Sequence, residues 1–179
     1  MRKKILLLGD SIRMSYQAAV QERLATRFEV VGPEENCQYS LYTAGRVDDY
    51  LRDLGRPDIV HWNNGLHDLG CNLRRGPVQF APADYLRNLE YTLQTLRAAG
   101  ARIIWATTTP VDEAIPPGIP FWSWSNAAVR EYNLIAGNLM RTNQIPINDL
   151  YGVVAGHPEY YSDDHLHLNE RGRNACAQA

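Results

Sequence analysis

The segment Lys4-Ile5-Leu6-Leu7-Leu8-Gly9-Asp10-Ser11 is an unbroken aliphatic run that stops abruptly at a glycine and two polar residues. A short apolar run bounded by turn residues is typical of a strand buried on both faces. Similar runs follow at 28–31, 58–62, 102–106 and 146–148. Longer amphipathic stretches separate them, which is the pattern of strand–helix–strand units. We therefore predict an α/β protein, a three-layer α/β/α sandwich with a five-stranded parallel sheet.

The clearest helical segment spans residues 84–99, where four leucines share one face and Gly100 follows as a C-cap. Other helices are predicted at 13–26, at 47–54, at 126–142 with Asn126 as N-cap, and from Asn169 onward. No internal repeat or linker interrupts the alternation. With 179 residues, 45% of them hydrophobic, we expect a single domain over residues 1–179.

Residues 107–125 form the one long irregular segment, which ends in Phe121-Trp122-Ser123-Trp124. Loops of this length in a compact domain are usually functional or disordered. The segment follows a predicted strand, as do Gly9-Asp10-Ser11 and, at a short distance, Gly65-Leu66-His67-Asp68. All three are therefore expected at the carboxyl edge of the sheet, where open α/β folds place their ligand sites.

Charge and composition exclude several classes of protein. The net charge is −2 and no basic run exceeds Arg2-Lys3-Lys4, so neither nucleic acid nor an anionic membrane surface is an expected partner. No stretch approaches the roughly 20 apolar residues of a membrane span, and the run 5–8 is too short for a signal peptide. The odd number of cysteines, with no Cys-x-x-Cys pair, argues against a disulfide framework or a zinc site. We expect a cytoplasmic protein, with a removed leader as the alternative.

Ser11 and the distant pair Asp164-x-x-His167 supply a serine, a histidine and a carboxylate. The spacing lets Asp164 fold back onto Nδ1 of His167 and leaves Nε2 free to take the serine proton. A histidine oriented by an acid is the usual activator of a serine nucleophile. Both segments also have non-catalytic interpretations: a turn with an N-cap at Ser11, and a solvated polar turn near the C-terminus. A metal site at His165 and His167 is a further alternative, but the sequence offers no third ligand cluster for it.

These segments resemble the SGNH hydrolases, also called the GDSL esterase/lipase superfamily, from residue 4 to about residue 175. Gly9-Asp10-Ser11 is similar to the block that holds the nucleophile, Gly45 to the lone glycine of the second block, and Asp164-x-x-His167 to the last block. The resemblance implies a flavodoxin-like fold, a Ser11–His167–Asp164 triad, and an oxyanion hole that includes the backbone N–H groups of Ser11 and Gly45. It implies no cofactor and no metal.

The third block departs from the family pattern. The family usually has Gly-x-Asn-Asp with the asparagine donating to the oxyanion, whereas this chain has Gly65-Leu66-His67-Asp68. We favour the ring N–H of His67 as the donor, with Asn63 or Asn64 just upstream as the alternative. Asn64 is also a candidate substrate-binding residue.

The resemblance predicts a serine esterase that acts on a small or polar carboxylic ester, with a carbohydrate O-acetyl ester as the first expectation. Trp122 and Trp124 are candidates for a wall of the substrate pocket, or alternatively for a hydrophobic staple at the next helix. Rival functions are a lysophospholipase or thioesterase of the same superfamily and a non-catalytic ligand-binding module. Asp10 argues against a phosphate binder, because its carboxylate would repel phosphate. The expected partner is a small-molecule ester, and the oligomeric state stays open.

Overall fold

The computed structural model describes residues 2–76, 78–112, 114–115 and 118–179. The main sheet contains β1 (Lys3–Leu8), β2 (Phe28–Val31), β3 (Ile59–Trp62), β5 (Arg102–Ala106) and β7 (Ile147–Asn148), while β4 (Cys71–Asn72) and β6 (Trp122–Ser123) form a small antiparallel pair. The helices are α1 (Ser11–Leu24), α2 (Ser40–Asp53), α3 (Pro82–Ala98), α4 (Asn126–Thr142), α5 (Leu150–Val154) and α6 (Glu170–Gln178), and a 3-10 turn spans Pro158–Tyr160.

The four strand pairings of the main sheet are all parallel, and they give the order β2-β1-β3-β5-β7. The first strand, β1, is an inner strand, and β2 lies beside it at one edge. The chain then crosses to the other side of β1, where β3, β5 and β7 follow in order. The direction reverses between β1 and β3, and a crevice opens there at the carboxyl ends of the strands. Ser11 and the segment 63–68 both leave the sheet at this crevice, which fixes where a site can form.

Two hydrophobic clusters cover the two faces of the sheet. One contains Leu6, Leu8, Trp62 and Trp105, and it packs beneath α2, α3 and α4; the two indole rings meet edge to face with centroids 4.8 Å apart. The other contains residues of α1, α5 and α6, which pack together on the opposite face. Helices therefore lie on both sides of one parallel sheet, and the predicted three-layer α/β/α fold is confirmed.

Among the predicted helices, α2 is the one whose start the sequence placed least well. It begins at Ser40, seven residues before the predicted start, and its N-cap residue Tyr39 makes no side-chain cap. The carboxylate of Asp68 takes that role: it accepts the Ser40 backbone N–H at 3.0 Å and the Ser40 hydroxyl at 2.5 Å. A cap supplied from 28 residues away leaves no local signal.

The start of α4 was predicted correctly, but its cap was not. The Ser125 hydroxyl accepts the N–H of Ala128, so Ser125 is the N-cap. Asn126 instead exchanges two hydrogen bonds with the backbone of Val111. The asparagine thus ties the long segment 107–125 to the helix that follows it.

Across the ranges that the structure describes, no helix is both long and apolar enough to cross a bilayer.

Candidate active site

Ser11 lies at the sharp turn between β1 and α1. Asp10 is the N-cap of α1, and its Oδ1 accepts the N–H of Ile12 at 3.0 Å. Ser11 is consequently the first residue of the helix, where backbone N–H groups have no intrahelical acceptor. Its hydroxyl and its own N–H can therefore act on one substrate group, next to the positive end of the helix dipole.

The structure brings Ser11 together with the two predicted partners from the C-terminal segment. Ser11 Oγ is 2.8 Å from Nε2 of His167, and Nδ1 of His167 is 2.5 Å from Oδ2 of Asp164. The serine and the histidine are 156 residues apart in the chain. This arrangement has the order nucleophile, base and orienting acid of a serine-hydrolase triad.

Asp164 is held by more than the imidazole. Its Oδ1 accepts the backbone N–H groups of Leu166 and His167 and the hydroxyl of Ser162, at 3.1, 2.8 and 2.8 Å. Partial burial raises the pKa of Asp164, but the hydrogen bonds from His167, Leu166 and Ser162 outweigh it and hold the pKa well below its ordinary value. The carboxylate therefore stays ionised and keeps one oxygen directed at the imidazole.

A cleft of about 320 Å³ opens beside the triad. Ser11 and His167 line it, together with the polar residues His67, Asn36 and Gln79. His67 follows β3 in the position that the sequence favoured for an oxyanion donor. Asn36 was not predicted; it belongs to the loop between β2 and α2, and only the contact of that loop with the serine turn reveals it.

Trp122 and Trp124 supply much of the apolar wall of this cleft, with Leu66, Ile119 and Leu166. The two indoles are nearly parallel, with centroids 6.2 Å apart. Trp122 lies in the β4–β6 pair, and Trp124 donates its Nε1–H to the carbonyl of Leu66 at 2.9 Å. The cleft therefore has a polar end at Ser11 and a rigid aromatic flank.

The prediction that Gly45 supplies an oxyanion donor is wrong. Gly45 lies inside α2, is exposed, and has no atom of another element within 4 Å of the position a Cβ would take. Its N–H lies beyond the first four of the helix, where these groups bond within the helix. The assignment came from the resemblance to the lone glycine of the family's second block, and the early start of α2 puts Gly45 inside the helix.

The prediction that Asn64 binds substrate is also wrong. Its side chain is fully buried, accepts the Trp62 indole N–H at 2.7 Å, and donates to Thr43 Oγ1 at 3.0 Å and to the Gln38 carbonyl at 3.2 Å. Neither Asn64 nor Asn63 lines the cleft. Asn63 lies beneath the serine turn instead, with its amide 3.4 Å from Asp10.

The histidines near the C-terminus do not share one ligand set. His165 pairs with Asp112 at 3.1 Å, whereas His167 pairs with Asp164. Among the residues that the structure describes, no group of three histidine, cysteine or acidic side chains could hold a metal ion.

A larger cavity of about 770 Å³ lies elsewhere, against the face of the sheet between α1 and α6. Aliphatic residues of the strands and the C-terminal residues 176–179 line it, and it includes none of the triad. His61 faces this cavity, and burial lowers its pKa to about 4. The larger cavity is therefore not the candidate active site, because the triad lies at the smaller cleft.

The fold and the triad together define a serine hydrolase. A model of the GDSL-like lipase/acylhydrolase family matches residues 7–175, and the chain therefore belongs to this family. A search of curated protein sequences found no match.

Solved structures with the same fold include several esterases. An acetyl xylan esterase, AlAXEase, is 19% identical with a TM-score of 0.79, and the match covers 98% of this chain and 96% of that one. TesA is 20% identical with a TM-score of 0.74, over 98% and 94% of the two chains. The psychrotrophic esterase EstA from Pseudoalteromonas sp. is 16% identical with a TM-score of 0.73, over 98% and 93%. At these identities the likeness shows the fold.

Proposed function

We propose that this hydrolase is a carboxylic ester hydrolase that works through an acyl-enzyme on Ser11. The observation that carries the proposal is the continuous hydrogen-bonded path from Ser11 Oγ through His167 to Asp164. In the first step His167 Nε2 takes the hydroxyl proton while Ser11 Oγ bonds to the ester carbonyl carbon. The ester C–O bond then breaks, and His167 returns the proton to the leaving alkoxide.

Deacylation uses the same groups with water in place of the alcohol. His167 takes a proton from water, the resulting hydroxide attacks the acyl carbon, and Ser11 leaves with its proton restored. Asp164 keeps the imidazole in the tautomer that carries hydrogen on Nδ1, and its ionised state supports the imidazolium that forms in each step.

The oxyanion of each tetrahedral intermediate needs donors beside Ser11. We assign this role to the backbone N–H of Ser11, which is the first residue of α1, and to the ring of His67, which lines the cleft. Removing one such donor typically lowers kcat by about 10²–10³. We expect His67→Ala to lower kcat by that order and His67→Asn, which restores an amide donor, to recover much of it. Wild-type kcat in His67→Ala would remove His67 from the oxyanion hole.

The substrate we propose is a small or polar ester, with a carbohydrate O-acetyl ester first. A cleft of about 320 Å³ is at the lower end of ligand pockets, and its aromatic flank offers a face on which a sugar ring can stack. One structural neighbour is an acetyl xylan esterase. The apolar flank also fits an acyl chain, so a thioesterase or lysophospholipase is the second candidate.

The test combines a nucleophile variant with a substrate series. Wild-type protein should hydrolyse p-nitrophenyl acetate and acetylated sugars, with kcat/KM falling as the acyl chain lengthens, and Ser11→Ala should lose this turnover while it keeps its Tm. Unchanged turnover in Ser11→Ala would refute the mechanism. A kcat/KM that rises with chain length would favour the second candidate. A folded wild-type protein that a fluorophosphonate fails to label would instead indicate a non-catalytic binding module.

A further inference from the structure

We propose that the side-chain amide of Asn36 is a further oxyanion donor, in the role that the family resemblance had assigned to Gly45. The inference rests on the proposed function and concerns the same cleft. Asn36 lies on the loop between β2 and α2, is partly buried, and lines the cleft together with Ser11, His67 and His167. The loop after β2 thus contributes a side-chain donor, and the loop after β3 contributes His67.

The orientation of the Asn36 amide is fixed by its oxygen. Oδ1 accepts the backbone N–H of Gln38 at 2.7 Å, which closes a local turn. Gln38 adopts a φ of +49°, and its carbonyl accepts Asn64 Nδ2 at 3.2 Å. A backbone N–H can bond only to the oxygen of the Asn36 amide, so the NH2 group is on the opposite side of the amide carbon. The two N–H donors of this NH2 group are left for a ligand.

The neighbouring backbone groups of this loop are already used. The N–H of Cys37 donates to the carbonyl of Gly9 at 3.2 Å, and the N–H of Gln38 is bonded to Asn36 itself. Since Gly9 stands two residues before Ser11, the Cys37 bond ties the Asn36 loop directly to the serine turn. With these two N–H groups occupied, the side-chain amide of Asn36 is a donor that this loop can offer.

Arg13 makes the loop rigid. Its guanidinium, 1% exposed, donates to the carbonyls of Gly9, Pro33 and Glu35. One buried side chain thus joins the serine turn to two carbonyls, Pro33 and Glu35, in the segment before Asn36. A donor held in this way is preorganised, which is what makes it effective at a developing negative charge.

Gln79 is the other amide that lines the cleft, but its anchorage differs. Its backbone N–H donates to the carbonyl of Gly70, and Gly70 lies against the rings of Trp122 and Trp124. Gln79 therefore belongs to the aromatic flank, whereas Asn36 is tied to the serine turn. This difference assigns the oxyanion role to Asn36.

The test uses two variants that keep the turn and remove the amide. Asn36→Asp retains an oxygen for the Gln38 N–H and replaces the NH2 group with a carboxylate oxygen, while Asn36→Ser keeps a shorter acceptor. Glu34→Ser is the control, because Glu34 is exposed on the same loop. Two quantities are measured on a p-nitrophenyl ester: kcat and KM, and the inhibition constant of phenylboronic acid, whose serine adduct is tetrahedral and anionic.

We expect kcat to fall by about 10²–10³ in both Asn36 variants, with KM and Tm close to wild type and with boronate affinity falling in parallel. Glu34→Ser should match wild type. Wild-type kcat in Asn36→Ser overturns the proposal, and so does a lowered kcat with unchanged boronate affinity. Ser11→Ala separates this failure from failure of the proposed function, because residual turnover in that variant refutes the serine mechanism whatever Asn36 does.

Discussion

Replacing Asp164 by asparagine should harm catalysis more than replacing it by alanine. Three donors converge on Oδ1 of Asp164, from Ser162, Leu166 and His167, so the oxygen of an asparagine must occupy that position. Its NH2 group then faces Nδ1 of His167, which must become an acceptor. The ring proton moves to Nε2, and His167 can no longer take the proton of Ser11. An imidazole in the wrong tautomer costs about 10⁴ in kcat in a known triad, about 5.5 kcal/mol of barrier.

Alanine at residue 164 leaves the imidazole free to hold its proton on Nδ1 and donate it to water. Asp164→Ala should therefore retain more kcat than Asp164→Asn. The unfolding free energies of the two variants should have the opposite order, because alanine removes the acceptor of three hydrogen bonds that asparagine keeps. At about 1 kcal/mol for each bond, Asp164→Ala should lose about 2 to 3 kcal/mol of unfolding free energy relative to Asp164→Asn.

The assay pairs steady-state kinetics on p-nitrophenyl acetate with urea unfolding of both variants. We expect Asp164→Asn to have the lower kcat of the two variants and Asp164→Ala to have the lower unfolding free energy. If asparagine proves the more active substitution, Oδ1 does not control the orientation of the side chain and the tautomer argument fails.

Three further predictions concern stability. Burial raises the pKa of Asp68 to about 7, so the carboxyl group keeps its proton in the folded protein at pH values where the unfolded chain loses it. The unfolding free energy of the wild type, relative to Asp68→Asn, should therefore be full below about pH 4 and fall by up to about 4 kcal/mol as pH rises through 7. Urea unfolding of both proteins at pH 4.5 and pH 8 measures this change. A pH-independent difference would refute this. Gly9→Ala should fail to fold or lose many degrees of Tm, because its Cβ would lie 1.8 Å from Asn63 Oδ1; a near wild-type Tm would contradict that close approach. Gly45→Ala should keep kcat and gain up to about 1 kcal/mol, as expected for an exposed helical glycine, and a large loss of kcat would restore Gly45 to the site.

The elements that the sequence located well are those whose signal is local. The bounds of β2 and β5 match the predicted runs, and α4 spans the predicted residues. Asp164 and His167 could be found together because one short turn carries both. The start of α2 could not be found, because its cap is the carboxylate of Asp68 from another loop. The early start of α2 also encloses Gly45, which the family resemblance had assigned to the oxyanion hole.

The polar residues after β3 show why composition at a sheet edge does not by itself define a site. Asn63, Asn64, His67 and Asp68 all follow the same strand, and any of them could be taken for a catalytic group. Burial separates them, because a buried polar side chain must find hydrogen-bond partners within the fold. Asn64 and Asp68 meet this need at the loop and helix that follow β2, where they bond to Gln38 and Ser40, just after Asn36. His67 alone of the four lines the cleft. Asn64 and Asp68 therefore hold the loop and helix after β2 against the segment after β3, a structural role that their place in the sequence does not distinguish from a catalytic one.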